Sequence, residues 1–161
     1  MEISVLQQDL EHVDGLDTDT LLLFLPDHQG PFQGLAGLVD WRLTGRLSRY
    51  LQRGWLHGGK GESHLMPAHD RLPVRRLVGI GMGPAEKLDV KAIEDLAEQA
   101  GRALAAAKAP SVACSLPGEP SAEDEMMRVF RVLRRGLSRH FDGRLVILGD
   151  AKALREIIDE A

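Results

Sequence analysis

Residues Gly34–Gly83, GLAGLVDWRLTGRLSRYLQRGWLHGGKGESHLMPAHDRLPVRRLVGIGMG, decide the fold. Leu35, Val39, Leu43, Leu47 and Leu51 recur at every fourth position, with Leu38 and Tyr50 widening the stripe, which predicts an amphipathic helix over 35–53. Gly54 closes that helix, and Gly58, Gly59 and Gly61 form a turn. Ser63–Pro67 reads as a short strand near a sheet edge, because proline has no N–H to give to a ladder. Leu77–Ile80 is a buried strand, and Gly79–Gly83 reads as a glycine-studded loop at its end.

The same rhythm extends both ways. Ile3–Leu6 is β-prone, and Thr20–Leu25 is a continuous apolar run, expected of a strand covered on both faces. After the glycine run, Asp89 is a candidate N-cap for a helix to about Lys108, with Ile93, Ala97, Ala100, Leu104 and Ala107 on its inner face. Val112–Leu116 is the next strand. Ser121 reads as the cap of a third helix, with Asp124 in the capping-box position and Met126, Phe130, Leu133 and Leu137 facing inward. Leu145–Leu148 is a last strand and 151–158 a last helix. Strands alternating with helices predict an α/β fold: a three-layer α/β/α sandwich around a mixed, mostly parallel sheet, with residues 1–161 as a single domain.

The order helix, Gly/Lys/Glu turn, short strand, basic step and buried strand across 34–83 resembles the N-terminal domain of the leucine aminopeptidase (cytosol aminopeptidase) family. The resemblance covers nearly the whole chain in element order, and residue by residue it holds from about Gly34 to Lys108. It implies a macro-domain-like sandwich. It also implies a two-metal peptidase domain after this one, and the sequence stops where that domain is expected to begin. In that family two divalent metals clamp the nucleophilic oxygen and the scissile carbonyl, with several ligands in a segment reading Asn-Thr-Asp-Ala-Glu-Gly-Arg. The sequence contains no asparagine and no such segment. No catalytic residue carries over, no metal or other cofactor is expected, and the chain reads as non-catalytic.

Composition excludes other classes. An apolar share of 43% and a charged share of 27% are those of an ordinary water-soluble globular domain. The net charge of −4 works against bulk attraction to nucleic acid or anionic lipid. Cys114 is the only cysteine, so no intrachain disulfide forms and a reducing compartment suits the chain. The longest aliphatic run, Leu21–Leu25, is far below a membrane span, and the acidic N-terminus is not a signal peptide. The expected location is the cytoplasm, with no membrane partner.

Candidate ligand sites are few. Backbone N–H groups of Gly79, Gly81, Met82 and Gly83 form a candidate phosphate cradle. Macro-like folds hold ADP-ribose-type ligands in such loops, so the resemblance keeps a nucleotide binder, or a hydrolase of such ligands, as the alternative. As a dinucleotide fingerprint the run fails, because Pro84 or Glu86 stands where the third glycine belongs. A tight turn is the favoured reading. Residues 54–61, GWLHGGKG, nearly spell a P-loop, yet Gly61 replaces the magnesium-binding hydroxyl and the flanking elements are inverted. His57, His64 and His69 lack zinc spacing and read as solvent-facing. Cys114 reads as a core residue.

Two arginine stripes follow the helical repeat: Arg42, Arg46, Arg49 and Arg53 on the first helix, and Arg128, Arg131, Arg135 and Arg139 on the third, with Arg134 beside them. A solvated helix face explains such stripes most simply. A subunit interface or phosphate contact is the functional alternative. Some bacterial enzymes that this chain resembles also bind DNA, and nucleic acid is the less favoured partner here. Trp41 and Trp55 flank the first stripe; Trp55 beside arginine suggests an interface, and Trp41 reads either that way or as core. The expected role is binding: homo-oligomerisation, or docking to a separate peptidase catalytic chain that this domain regulates.

Overall fold

The computed structural model describes residues 1–28, 30–68, 70–84 and 88–161. In chain order the elements are β1 (Glu2–Gln7), α1 (Leu10–Asp14), β2 (Thr20–Pro26), α2 (Gly34–Arg42), α3 (Arg46–Gln52), β3 (Ser63–Pro67), β4 (Arg76–Gly83), α4 (Val90–Ala106), β5 (Ser111–Cys114), α5 (Glu123–Ser138), β6 (Arg144–Gly149) and α6 (Ala151–Glu160). The six strands form one sheet in the order β1-β6-β5-β2-β4-β3. All neighbours run parallel except β3, which pairs antiparallel with β4 at one edge. The proline-terminated strand is therefore an edge strand, as its sequence predicts.

Each central strand buries both faces, which is why the strands read as unbroken apolar runs. In β2, Leu22 and Phe24 face one layer while Leu21, Leu23 and Leu25 face the other. The first layer holds α4, α5 and α6, through Leu104, Phe130, Leu133 and Leu154 among others. The second holds α1, α2 and α3, through Val13, Leu35, Val39 and Leu47, sealed by Leu56, Leu72 and Val74 from the connecting segments. The result is the expected α/β/α sandwich.

Four local expectations are corrected. The helix expected over 35–53 is two helices. Thr44 (φ 56°) and Gly45 (φ 80°) turn the chain left-handed between α2 and α3. The break is held by Asp40, buried at 9% exposure, whose carbonyl accepts the Gly45 N–H (2.8 Å) and whose carboxylate accepts the Ser48 N–H (3.1 Å) and hydroxyl. Asp40 thus caps α3 from the preceding helix. Second, Ser121 is not a cap. Ala122 holds the N-cap of α5 without a side-chain bond, and Glu123, Asp124 and Glu125 complement the helix dipole instead. Third, Gly79–Gly83 is not a loop; β4 continues through Gly83. Fourth, α1 was not expected from the sequence; Asp9 caps it by accepting the His12 N–H (2.8 Å). Asp89 does cap α4, through the Ala92 N–H (2.8 Å).

Candidate functional site

Gly81 of β4 is explained by a backbone crossing. A Cβ on Gly81 would lie 2.0 Å from the carbonyl oxygen of Gly59, and one on Gly58 would lie 2.2 Å from that of Pro26. The 58–62 segment thus lies directly on β2 and β4. Gly83 N–H donates to Gly58 O (2.8 Å) and Gly81 N–H to Glu62 O (2.9 Å). Two of the donors expected to cradle phosphate are committed to this crossing. Met82 is half-buried and lines a neighbouring crevice.

Crevices instead open at the C-terminal ends of the parallel strands, the usual ligand position in open α/β sheets. One, of about 430 Å³, is lined by Phe24, His28, Gln33, Met82, Ser115 and Glu119 among others. The next, of about 350 Å³, is lined by Gln8, Leu116, Glu119, Met126, Asp150 and Leu154 among others. Glu119 lines both. Its φ is 45°, and its carboxylate accepts the Leu35 N–H (3.2 Å) and the Gln8 side-chain amide. Gln33, at the N-cap of α2, makes no side-chain cap bond, so Glu119 satisfies the helix end from across the sheet. Gly34 suits the left-handed backbone there (φ 58°), and a Cβ on it would push the Glu119 carboxylate, 1.8 Å away, off the helix end. Sequence reasoning missed Glu119, since its contacts span 84 and 111 residues.

The first arginine stripe is divided by the helix break. Arg42 ends α2 and pairs with Asp14; Arg49 donates to Thr44 O (2.6 Å); Arg46 lies half-buried at the start of α3. Arg53 follows α3, with its guanidinium 5.1 Å from the Trp55 ring centre. Arg42 stands 5.7 Å from the Trp41 ring centre. Trp41 and Trp55 are 67% and 62% exposed, so Trp41 is not a core residue. The second stripe lies on one exposed face of α5 as expected. Arg135 and Arg139 are spent on α4, pairing with Glu94 (3.3 Å) and Glu98 (3.0 Å), while Arg128 and Arg131 have no ion pair among the described residues. The Arg139 hydrogen bond, with a smaller contribution from His140, holds the Glu98 carboxyl below the usual carboxylate range.

Among the described residues, no group of three or more His, Cys, Asp or Glu side chains is placed to hold a metal ion. His64 contacts the backbone of His57 (3.1 Å), and His69 lies outside the described residues. Cys114 is fully buried in β5, and burial pushes its thiol up to about 12, far from thiolate chemistry. Among the same residues no helix is long and apolar enough to cross a membrane.

Comparison with known proteins follows the same architecture. The family model for the N-terminal domain of the cytosol aminopeptidase family matches residues 21–139. The chain belongs to the cytosol aminopeptidase family, as its N-terminal domain. A probable cytosol aminopeptidase of Burkholderia orbicola is 31% identical over 90 residues, covering 56% of this chain and 18% of that protein. A tomato leucine aminopeptidase mutant superimposes with a TM-score of 0.63 at 17% identity, over 98% of this chain and 35% of that one. The chain therefore spans about a fifth and about a third of these two aminopeptidase relatives. Macrodomains share the fold. That of Trypanosoma brucei, solved in complex with ADP-ribose, gives a TM-score of 0.72 at 13% identity, covering 98% of this chain and 68% of that one. The macrodomain of Mycobacterium tuberculosis DarG gives 0.69 at 15%, over 91% and 97%.

Proposed function

We propose that this aminopeptidase-family domain acts by association and not by chemistry, joining copies of itself or a peptidase catalytic chain in the cytoplasm. One observation carries the reading: two tryptophans stand more than 60% exposed, each stacked by an arginine. Tryptophan and arginine are the side chains that dominate protein–protein contacts, and exposing a large ring in isolation wastes its burial. Peptide hydrolysis in this family runs on paired metals, and among the described residues no three His, Cys, Asp or Glu side chains converge. The test mixes the purified chain with a cytosol aminopeptidase catalytic domain and follows both by light scattering after gel filtration. A self-associated or mixed species is expected, weakened in a Trp41→Ser/Trp55→Ser double variant. A chain that stays monomeric and elutes apart from the peptidase refutes the proposal.

The crevices at the strand ends support a second reading, an ADP-ribose-type ligand. In its way stands Glu119, whose carboxylate holds the N-terminus of α2, where a diphosphate would otherwise be attracted. Under this reading calorimetric titration with ADP-ribose gives heat, and more of it after Glu119→Gln removes the charge. No heat with either protein at millimolar ligand eliminates it.

A further inference from the structure

The crevice of about 350 Å³ at the ends of β1, β5 and β6 plays no part in association. Its floor is apolar: Leu116, Met126, Leu148 and Leu154 line it, each at most 5% exposed. Its rim is acidic. Glu119 and Asp150 line it, both exposed, and no lysine, arginine or histidine does among the described residues. The donors that helix starts offer an anion are already taken here. Asp150 accepts the Ala153 N–H (3.2 Å), the Gln7 side-chain oxygen accepts the Ala151 N–H (3.1 Å), and Glu119 accepts the Leu35 N–H (3.2 Å). A phosphate brought to this rim meets two carboxylates and no cationic side chain. A cation meets two carboxylates with lone pairs to spare.

One of those carboxylates is held by a poor partner. Gln8 gives its side-chain N–H to Glu119, and in that pose its own Oε1 is buried with no hydrogen-bond partner among the described residues. A buried acceptor left unpaired is costly. We infer that this crevice is a binding site for a small primary amine: an ammonium head on a short aliphatic body, with no acid group of its own. The ammonium takes the place of the Gln8 amide at Glu119, making a charge-assisted bond and releasing the Gln8 oxygen to water. Its three donors carry no acceptor to set against Asp150. The aliphatic body lies on the three leucines and Met126. The volume stands at the lower end of ordinary ligand pockets, which suits a body of a few carbons. A carboxylate beside the ammonium would face the charges of the rim, so the ligand is not a free amino acid. Glu119 obstructs a diphosphate but holds an amine, so one substitution separates the two ligands. Neither ligand bears on association.

The probe is isoamylamine, which is charged at neutral pH as lysine is. It is titrated to about 20 mM into the isotope-labelled full chain at low salt and followed by NMR, with a Kd of about 1 mM expected, within the ceiling for so small a ligand. The Leu35 backbone N–H and the Gln8 side-chain amide should shift and saturate. Isoamyl alcohol, which removes the charge, and leucine, which adds a carboxylate, should not saturate over the same range. Glu119→Gln should weaken the amine about tenfold or more, the opposite of its expected effect on ADP-ribose. Gln8→Ala should tighten it about two- to tenfold, because no amide has to be displaced. That gain cannot come from a protein that fails to fold. Shifts that never saturate, equal binding of the alcohol, or a Kd indifferent to both substitutions would overturn the site.

Discussion

Replacing Gly81 with alanine measures what the glycine run is for. The new Cβ would sit 2.0 Å from Gly59 O and 2.9 Å from Gly58 C, all backbone atoms of a segment that cannot rotate aside. Ordinary contact requires more than an ångström of retreat. That retreat strips the bonds from Gly83 N–H to Gly58 O and from Gly81 N–H to Glu62 O. Two hydrogen bonds account for about 1–3 kcal/mol, and overpacking alone costs about 1–3 kcal/mol. The two overlap, so we expect a loss of about 2–4 kcal/mol in all. For a chain of this length that lowers Tm by about 5–15 °C. Thermal and urea unfolding followed by circular dichroism read it, with the urea m-value unchanged. Gly61→Ala is the control: φ is 88° and nothing lies within 4 Å of its Cβ, so only the left-handed backbone resists, at about 1–2 kcal/mol. A Gly81→Ala protein as stable as the parent would refute the crossing and return the run to the role of ligand cradle.

Three further outcomes follow from the same geometry. Cys114 should resist thiol reagents at pH 8 in the native protein and react once urea unfolds it, because burial holds it as the thiol; rapid native labelling would contradict that packing. Thr44→Asn should raise Tm by about 1–4 °C, since a β-branched residue at φ 56° is strained where asparagine is tolerated; a lower Tm would mean that the Thr44 hydroxyl bond to Leu43 O outweighs the strain. The Glu98 carboxyl is held below its unfolded value, so its stabilisation is complete above the unfolded carboxylate range and disappears as pH falls through the folded value. Unfolding of Glu98→Gln should therefore differ from the parent at neutral pH and converge with it in acid; a constant difference would place the effect elsewhere.

Much of this was legible in the residues because burial on both faces writes itself as composition. Thr20–Leu25 and Leu145–Leu148 announce central strands, and Asp89 announces α4. The α2–α3 break was hidden because Leu43 and Leu47 stay buried, at 1% and 0%, keeping the apolar period alive across the turn. Gly45 was the available signal, outweighed by that period. Glycine in β4 misled in the opposite sense: its poor strand propensity is overruled by a tertiary crossing that only glycine admits. The exposure of Trp41 and the seat of Glu119 were not legible. The first depends on where α2 stops, the second on contacts between residues far apart in the chain.

Strand β1 lies at the sheet's far border, and its sole neighbour there is β6, more than 130 positions later. During synthesis β1 has no template until residues 144–149 have been made. The sandwich must then assemble its middle first and add this border last, after a long and entropically costly closure. Until then Ile3, Val5 and Leu6 of β1 stay uncovered and open to wrong partners, so this domain should depend on chaperones early in its life more than its modest size suggests.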